Sequence, residues 1–322
     1  MPSKAPPTWT SRNFENEDDF RQMQAMLMEA RLQTDDWHYA HVGELAFAFF
    51  MVACHLDPHK HIRLWHSNDK LVGYAILGED PSFDWQVLPE YKWRRFEDKA
   101  GIEEEAMTWA ESLLAELRRD DPQQWGEDLV SGARRGHRNR ITFLEQHGFR
   151  QGGSFSEVNL MCRLDADIPY PEIPSGWQVR SFDRLDDISR RAAAQRYVWQ
   201  PWTVGNVSDE DYANLMELPG YDRELDVVAV SPGGEIAAYV NGWIDPLNHI
   251  GDFGPVGALP AYRRRGFTRA VLLEGLRHMQ ERDMNRVCVS TGVTNTPALR
   301  LYESVGFRIE NWYLQYVQSP GK

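Results

Sequence analysis

The chain has 322 residues, 42% of them hydrophobic and 26% charged, which supplies enough apolar material for one or two packed cores and excludes wholesale disorder. Asp and Glu number 48 against 35 Lys and Arg, and a net charge of -13 repels phosphate backbones, arguing against a dedicated nucleic-acid binder. Neither part of the chain is basic, with 19 Lys and Arg against 28 Asp and Glu up to Asp165 and 16 against 20 after it, so any anion site must be local.

The opening stretch Met1 to Thr10 carries Pro2, Pro6 and Pro7 and lacks the apolar core of a signal peptide. Cys54, Cys162 and Cys288 are far apart, with no C-x-x-C pair, and read as reduced thiols; a cytoplasmic location is expected. The longest apolar run, Leu45 to Cys54, is about half of the ~20 residues that a membrane-spanning helix needs, and it reads as core with no membrane partner. Six of the ten histidines fall between His38 and His66, including His55, His59 and His61, but their spacing matches no H-E-x-x-H or zinc pattern, and no metal is expected.

The chain repeats itself. Trp9, Arg12, Phe14, Asp18 and Asp19 recur as Trp177, Arg180, Phe182, Asp186 and Asp187. Leu71-Val-Gly-Tyr74-Ala matches Ile236-Ala-Ala-Tyr239-Val; Leu88-Pro89-Glu-Tyr91-Lys-Trp-Arg94 matches Leu259-Pro260-Ala-Tyr262-Arg-Arg-Arg265; Glu145-Gln-His-Gly148-Phe149-Arg150 matches Glu303-Ser-Val-Gly306-Phe307-Arg308. Four matches in the same order imply a duplication into two domains, residues 1–165 and 177–322, with the proline-rich stretch 166–176 as linker.

In the second half, Asp226 to Val230 and Glu235 to Trp243 read as a hairpin around Ser231-Pro-Gly-Gly234, and Gly251 to Ala258 as a third strand. Phe267 to Met279 reads as a helix with Ala270, Leu273, Leu276 and Met279 on one face. Val287 to Thr291 is a short strand, Pro297 to Val305 a helix ended by Gly306, and Phe307 to Val317 a strand again. Strands alternating with helices predict α/β architecture.

The chemistry concentrates in Val256-Gly-Ala258-Leu-Pro260-Ala-Tyr262-Arg263-Arg264-Arg265-Gly266-Phe267-Thr268, where a strand meets a basic turn that opens a helix. Free N–H groups at a helix start, the helix dipole and three arginines make an anion cradle suited to a diphosphate. A side chain at Gly266 would hold the phosphate away from the backbone. Taken alone, the turn also reads as a solvated basic loop before an ordinary helix.

A second element, Asn295-Thr-Pro-Ala298-Leu-Arg-Leu-Tyr302-Glu-Ser-Val-Gly306-Phe307, follows about 30 residues later. Together the two resemble the GNAT superfamily of acyl-CoA N-acyltransferases in tandem two-domain form, over nearly all of Trp177 to Val317. The first element looks like that family's pyrophosphate loop, R/Q-x-x-G-x-G/A, with Arg263 and Gly266 matching and Thr268 replacing the final small residue. The second carries every anchor of N-x-x-A-x-x-x-Y-x-x-x-G-F. The resemblance implies two tandem GNAT-like domains, each a mixed, mostly antiparallel sheet flanked by helices, and acetyl-CoA as co-substrate.

It further implies that Val256, Gly257 and Ala258 offer backbone to the pantetheine arm, that Arg263, Arg264, Arg265, Gly266, Phe267 and Thr268 hold the diphosphate, and that Asn295 faces the pantetheine or a water. Tyr302 would protonate the departing thiolate. Asp252 is the expected base, sharing a strand face with Val256 by alternation, with Asp245 as fallback. The acceptor, a primary amine on a small molecule, would sit near Tyr197, Trp199 and Trp202, where aromatic faces with carboxylates suit an amine cation. In the first copy Arg95 and Glu97 replace Gly266 and Thr268, and Leu144 replaces Tyr302, so that copy reads as having lost its cofactor site. The competing function is a non-catalytic acyl-CoA-binding or protein-interaction module; a monomer or homodimer is expected.

Overall fold

The computed structural model describes residues 8–34, 37–92, 101–126, 128–152, 156–182 and 188–319. The repeat positions Asp186 and Asp187, and Arg94, Arg95 and Glu97 of the first copy, lie outside the described residues.

In chain order the elements are β1 (Thr10–Asn13), α1 (Glu17–Leu32), α2 (Val42–His55), α3 (Pro58–His61), β2 (Ile62–Ser67), β3 (Lys70–Gly78), β4 (Ser82–Val87), α4 (Ile102–Asp120), α5 (Pro122–Trp125), β5 (Leu129–Arg134), α6 (Arg138–Gln146) and β6 (Arg150–Gln151). There follow β7 (Glu157–Arg163), β8 (Gln178–Ser181), α7 (Ile188–Trp199), α8 (Asp209–Met216), β9 (Asp226–Val230), β10 (Ile236–Asp245), β11 (Ile250–Ala258), α9 (Phe267–Glu281), β12 (Arg286–Gly292), α10 (Thr296–Ser304) and β13 (Arg308–Gln318). Every second-half element expected from periodicity is present, within two residues of its expected ends. Residues 164–177 form no regular element.

The chain divides into two compact units that do not follow its halves. Unit 1 comprises Met1–Ala40, Met51–Ser156 and Trp312–Lys322, and its strands run β1-β2-β3-β4-β5 with the end of β13 beside β5. Unit 2 comprises His41–Phe50 and Glu157–Asn311, and its strands run β8-β9-β10-β11-β12-β7. Both sheets share one plan: neighbours are antiparallel except for a single parallel pair, β4 with β5 and β11 with β12. In each unit the strand beside that pair comes from the other half of the chain, because β7 pairs along β12 from Arg163↔Arg286 to Glu157↔Gly292 and β13 pairs along β5 from Gln318↔Leu129 to Tyr313↔Arg134.

In unit 2 the expected face of α9, Ala270, Leu273, Leu276 and Met279, is buried together with Phe267, Val271 and Leu272. It packs on β9, β10 and β11, of which β9 and β10 are nearly continuous buried strands, as strands covered on both faces must be. Glycine is required where α9 crosses the sheet. A methyl on Gly242 would stand 2.7 Å from Met279, and one on Gly251 2.6 Å from the same side chain. Among the described residues no helix is long and apolar enough to cross a membrane, and no group of three His, Cys, Asp or Glu stands where it could hold a metal ion.

Candidate active site

The centre of unit 2 is a place where two paired strands part. β11 runs parallel to β12 from Ile250↔Arg286 to Phe253↔Val289, and there the pairing stops, while on its other side β11 stays bonded to β10 as far as Ala258↔Ala238. The backbone of Val256, Gly257 and Ala258 is therefore paired on one edge only, the arrangement that lets an extended ligand arm add as a further strand. Across from β10 the register passes from Gly242↔Phe253 to Val240↔Val256, so β11 inserts one extra residue between Phe253 and Val256. This bulge breaks the alternation by which Asp252 and Val256 were expected to share a face. The requirement for glycine at Gly257 comes from packing: a methyl there would lie 2.4 Å from the ring of Tyr239, its cross-strand partner.

After β11 the turn through Pro260–Tyr262 leads into Gly266, which caps α9 in the left-handed region at φ 86° with no side-chain cap bond. Glycine adopts this conformation without the ~1–2 kcal/mol that a side chain adds. Nothing stands within 4 Å of the position a methyl would take, so the space over the helix start is open. The N–H groups of Phe267, Thr268 and Arg269 precede the first helical bond, from Ala270 N–H to Gly266 O at 3.0 Å, and so remain available. Arg263, Arg264 and Arg265 are exposed; Arg263 Nε donates to Ala258 O at 3.2 Å, and Arg265 lies over the rings of Tyr262 and Phe267. Trp177, just before β8, lies 4.2 Å from Phe267 and 5.2 Å from Tyr262 between ring centres and so braces the turn.

Tyr302 lies on α10, 5% exposed, and its hydroxyl has no hydrogen-bond partner among the described residues. Burial, and secondarily the charge of Asp252, push its pKa well above that of an ordinary phenol, so the ring stays protonated. Asp252 is 7% exposed, and its Oδ1 accepts from the Cys288 thiol at 3.2 Å. Over it stands the start of α2: a methyl on Gly43 would come within 2.6 Å of Asp252 Oδ2. His41 holds that helix end in place. Its Nδ1 accepts the Gly43 N–H (3.0 Å), which leaves Nε2 as the donor to Ile250 O (3.2 Å), while Glu44 accepts the His41 N–H (2.9 Å). Asp245, the fallback base, is fully buried and closes the β10–β11 turn by accepting from Asn248. Asn295 is exposed and caps α10: its Oδ1 accepts the Ala298 N–H (3.4 Å) and its Nδ2 donates to Thr291 Oγ1 (3.1 Å).

The three aromatic residues expected around the acceptor are dispersed. Tyr197 and Trp202 are 63% and 64% exposed, while Trp199 donates its indole N–H to Tyr239 Oη at 2.9 Å. Nearby carboxylates are engaged: Asp209 pairs with Arg196 and Asp211 closes the capping box of α8 with Ser208. The cavity of this region opens instead beside Gly254 and Pro255, with Asn241, Gln195, Phe47 and Phe50 among its walls. Asn241 had a signal in the sequence, a lone amide in an otherwise apolar strand; Phe47 and Phe50 had none, because they read as core of the first copy.

Unit 1 treats the equivalent place differently. β4 and β5 are paired at Ser82↔Val130, and beyond that point Arg140 of α6 lies between them, donating to Trp85 O (2.8 Å) on one strand and Gly132 O (2.7 Å) on the other. Its third nitrogen reaches Asp84 at 2.5 Å, and the guanidinium sits 3.7 Å from the Trp85 ring centre. By the repeat, Arg140 occupies the position of Ala298. The helix start also differs: α4 carries Glu103, Glu104 and Glu105 in its first turn, with Glu103 accepting from Trp85 and Glu105 from Trp9 and Trp65. Three carboxylates occupy the positive end of this helix, where unit 2 leaves open space.

This sheet plan, seen twice in one chain, defines a tandem GNAT fold. The solved structure of a GCN5-related N-acetyltransferase from Sphaerobacter thermophilus superposes with a TM-score of 0.64 at 20% identity, covering 98% of this chain and 97% of that one. A tandem GNAT protein from the clavulanic acid biosynthesis pathway gives 0.61 at 12% identity, covering 98% and 99%. The model of the Acetyltransferase (GNAT) family matches residues 186–307. Among curated relatives, the mycothiol acetyltransferase of Pseudarthrobacter chlorophenolicus is 26% identical over 78% of this chain and 75% of its own length, and that of Catenulispora acidiphila 25% identical over 87% and 81%. The second copy thus carries the GNAT match, and the GNAT acetyltransferases use acetyl-CoA as co-substrate.

Proposed function

We propose that the second copy, residues 177–322 with β7 completing its sheet, transfers the acetyl group of acetyl-CoA to a primary amine of a small molecule by direct attack, and that the first copy, residues 1–165, does no chemistry. The observation that carries this is the contrast between the two parallel pairs: β11 leaves β12 with one edge unpaired, whereas Arg140 bridges β4 and β5. The relatives named for mycothiol favour a small-molecule acceptor.

In this reading the diphosphate lies on the N–H groups at Phe267, Thr268 and Arg269 with Arg263, Arg264 and Arg265 beside it, and the pantetheine arm runs along Val256, Gly257 and Ala258, with Asn295 at its far side. The amine nitrogen attacks the thioester carbonyl, and a strand N–H beside the bulge stabilises the oxyanion. Asp252, directly or through water, takes the proton that the nitrogen gives up. As the tetrahedral intermediate collapses, the C–S bond breaks and Tyr302 donates its proton to the leaving thiolate. A free, protonated hydroxyl suits that donation.

The test is Tyr302→Phe assayed by thiol release and by the acetyl-CoA-induced rise in melting temperature. Turnover should fall by about 100-fold, within the usual contribution of general acid catalysis, with the melting shift retained. Equal loss of both would make Tyr302 a packing residue, and absence of thiol release with any amine would refute the reading.

A further inference from the structure

We propose that the cavity beside Gly254 and Pro255 is a subsite for a hydroxyl group of the acceptor, held by Asn241 and Gln195; this rests on the reading of unit 2 as the acetyl-transferring copy and narrows its substrate to hydroxylated amines. Asn241 sits in β10 where β11 carries its extra residue, between the ladder pairs Val240↔Val256 and Gly242↔Phe253. It is 1% exposed, and neither Oδ1 nor Nδ2 has a partner among the described residues. Gln195 on α7 is also 1% exposed; its Nε2 donates to Val204 O at 3.4 Å, and its Oε1 has no partner among the described residues. Both amides line the same cavity, whose other walls are apolar or backbone.

Buried polar groups in folded proteins are almost always hydrogen-bonded, because each orphan costs about 1–3 kcal/mol. Three such atoms, on two residues that line one cavity, leave hydrogen-bonding capacity beside it that an entering polar atom can satisfy. The cavity volume of about 10 Å3 is close to that of one water, so one non-hydrogen atom enters it. That atom must accept from Asn241 Nδ2 and donate to an amide oxygen, which a hydroxyl does and neither an ammonium nor a carboxylate can. A cation is disfavoured a second time. None of the lining residues is acidic, and the nearby Asp226, register partner of Asn241, is already bonded by Arg191, Tyr212 and Tyr221. Because Gly254 and Pro255 lie between Asp252 and Val256 on β11, the subsite adjoins the strand segment assigned to the thioester.

The experiment compares kcat/KM for matched amines with the full chain and saturating acetyl-CoA: 2-aminoethanol against propylamine, 3-amino-1-propanol against butylamine, and D-glucosamine against cyclohexylamine, each corrected for its fraction of free base. The hydroxylated member should be favoured at least about tenfold in one or more pairs, since a site built to bond a hydroxyl rejects the analogue lacking it. Asn241→Leu and, independently, Gln195→Leu should bring that ratio close to one while the melting shift with acetyl-CoA persists. Equal rates within every pair, or a ratio that survives both substitutions, would overturn the subsite and make the cavity a water site. If no amine is acetylated although acetyl-CoA raises the melting temperature, the small-molecule amine reading itself fails and the subsite falls with it.

Discussion

Substitution of Gly266 separates the two roles assigned to that position. Its backbone lies at φ 86°, where any side chain adds ~1–2 kcal/mol, so Gly266→Ala should lower the melting temperature of unit 2 by a few degrees, at about 2–4 °C per kcal/mol for a unit of this size. No contact contributes, because the methyl would meet open space. Gly266→Glu pays the same backbone cost and also projects a carboxylate into the space above the N–H groups of Phe267 and Thr268. At about 6 Å from a doubly charged diphosphate, in a medium close to water, that carboxylate opposes binding by about 1–3 kcal/mol. Acetyl-CoA affinity by titration calorimetry should fall about 10–100-fold in the Glu variant and less in the Ala variant, with matching stability losses in both. Raising the salt to about 0.5 M should shrink the difference, because the cradle is exposed. Equal affinity for acetyl-CoA in the Glu and wild-type chains would refute the cradle.

Arg140→Ala would strand the carbonyls of Trp85 and Gly132, so calorimetry should record a loss of about 3–5 kcal/mol for unit 1, with acetyl-CoA affinity retained; a parallel loss of affinity would show that unit 1 does more than support. Gly43→Ala should displace the Asp252 carboxylate, since the new methyl would lie 2.6 Å from Oδ2; a fall in kcat at unchanged acetyl-CoA affinity is expected, and unchanged kcat would count against Asp252 as base. Acid should destabilise unit 1. Burial lowers the pKa of His61 and His66, and burial with the charges of Lys92 and Arg140 pushes His137 down to about 2, all from 6.5. Below pH 6.5 the unfolded chain takes up protons that the folded unit refuses, so stability present above that pH is lost as pH falls, by up to about 1.4 kcal/mol per pH unit for His137 and by less for the more solvated His61 and His66. Melting scans from pH 8 to pH 5.5 check this, and a flat profile would contradict it.

Much of unit 2 is legible in the sequence because its information is local. Periodicities of 3.6 and 2 place α9 and the strands, Gly306 marks the end of α10, and the repeat implies two copies of one fold. What requires the tertiary structure is every pairing between distant segments. The aromatic strand Phe307 to Val317 reads correctly as a strand, yet nothing local tells which sheet it closes; it runs on to pair with β5, while β7 of the first half pairs with β12. The same limit hides Gly43 above Asp252, Arg140 between β4 and β5, and the bulge that breaks the alternation between Asp252 and Val256. A residue's own neighbours set its backbone and its face, but the atom it meets across the fold depends on register and packing summed over the whole chain. The sequence by itself therefore carries the resemblance to the family and names the candidates for the cradle and the acid. Which strand completes each sheet, which copy's cleft stays open and which amides line the cavity are decided only when segments more than a hundred residues apart are brought together.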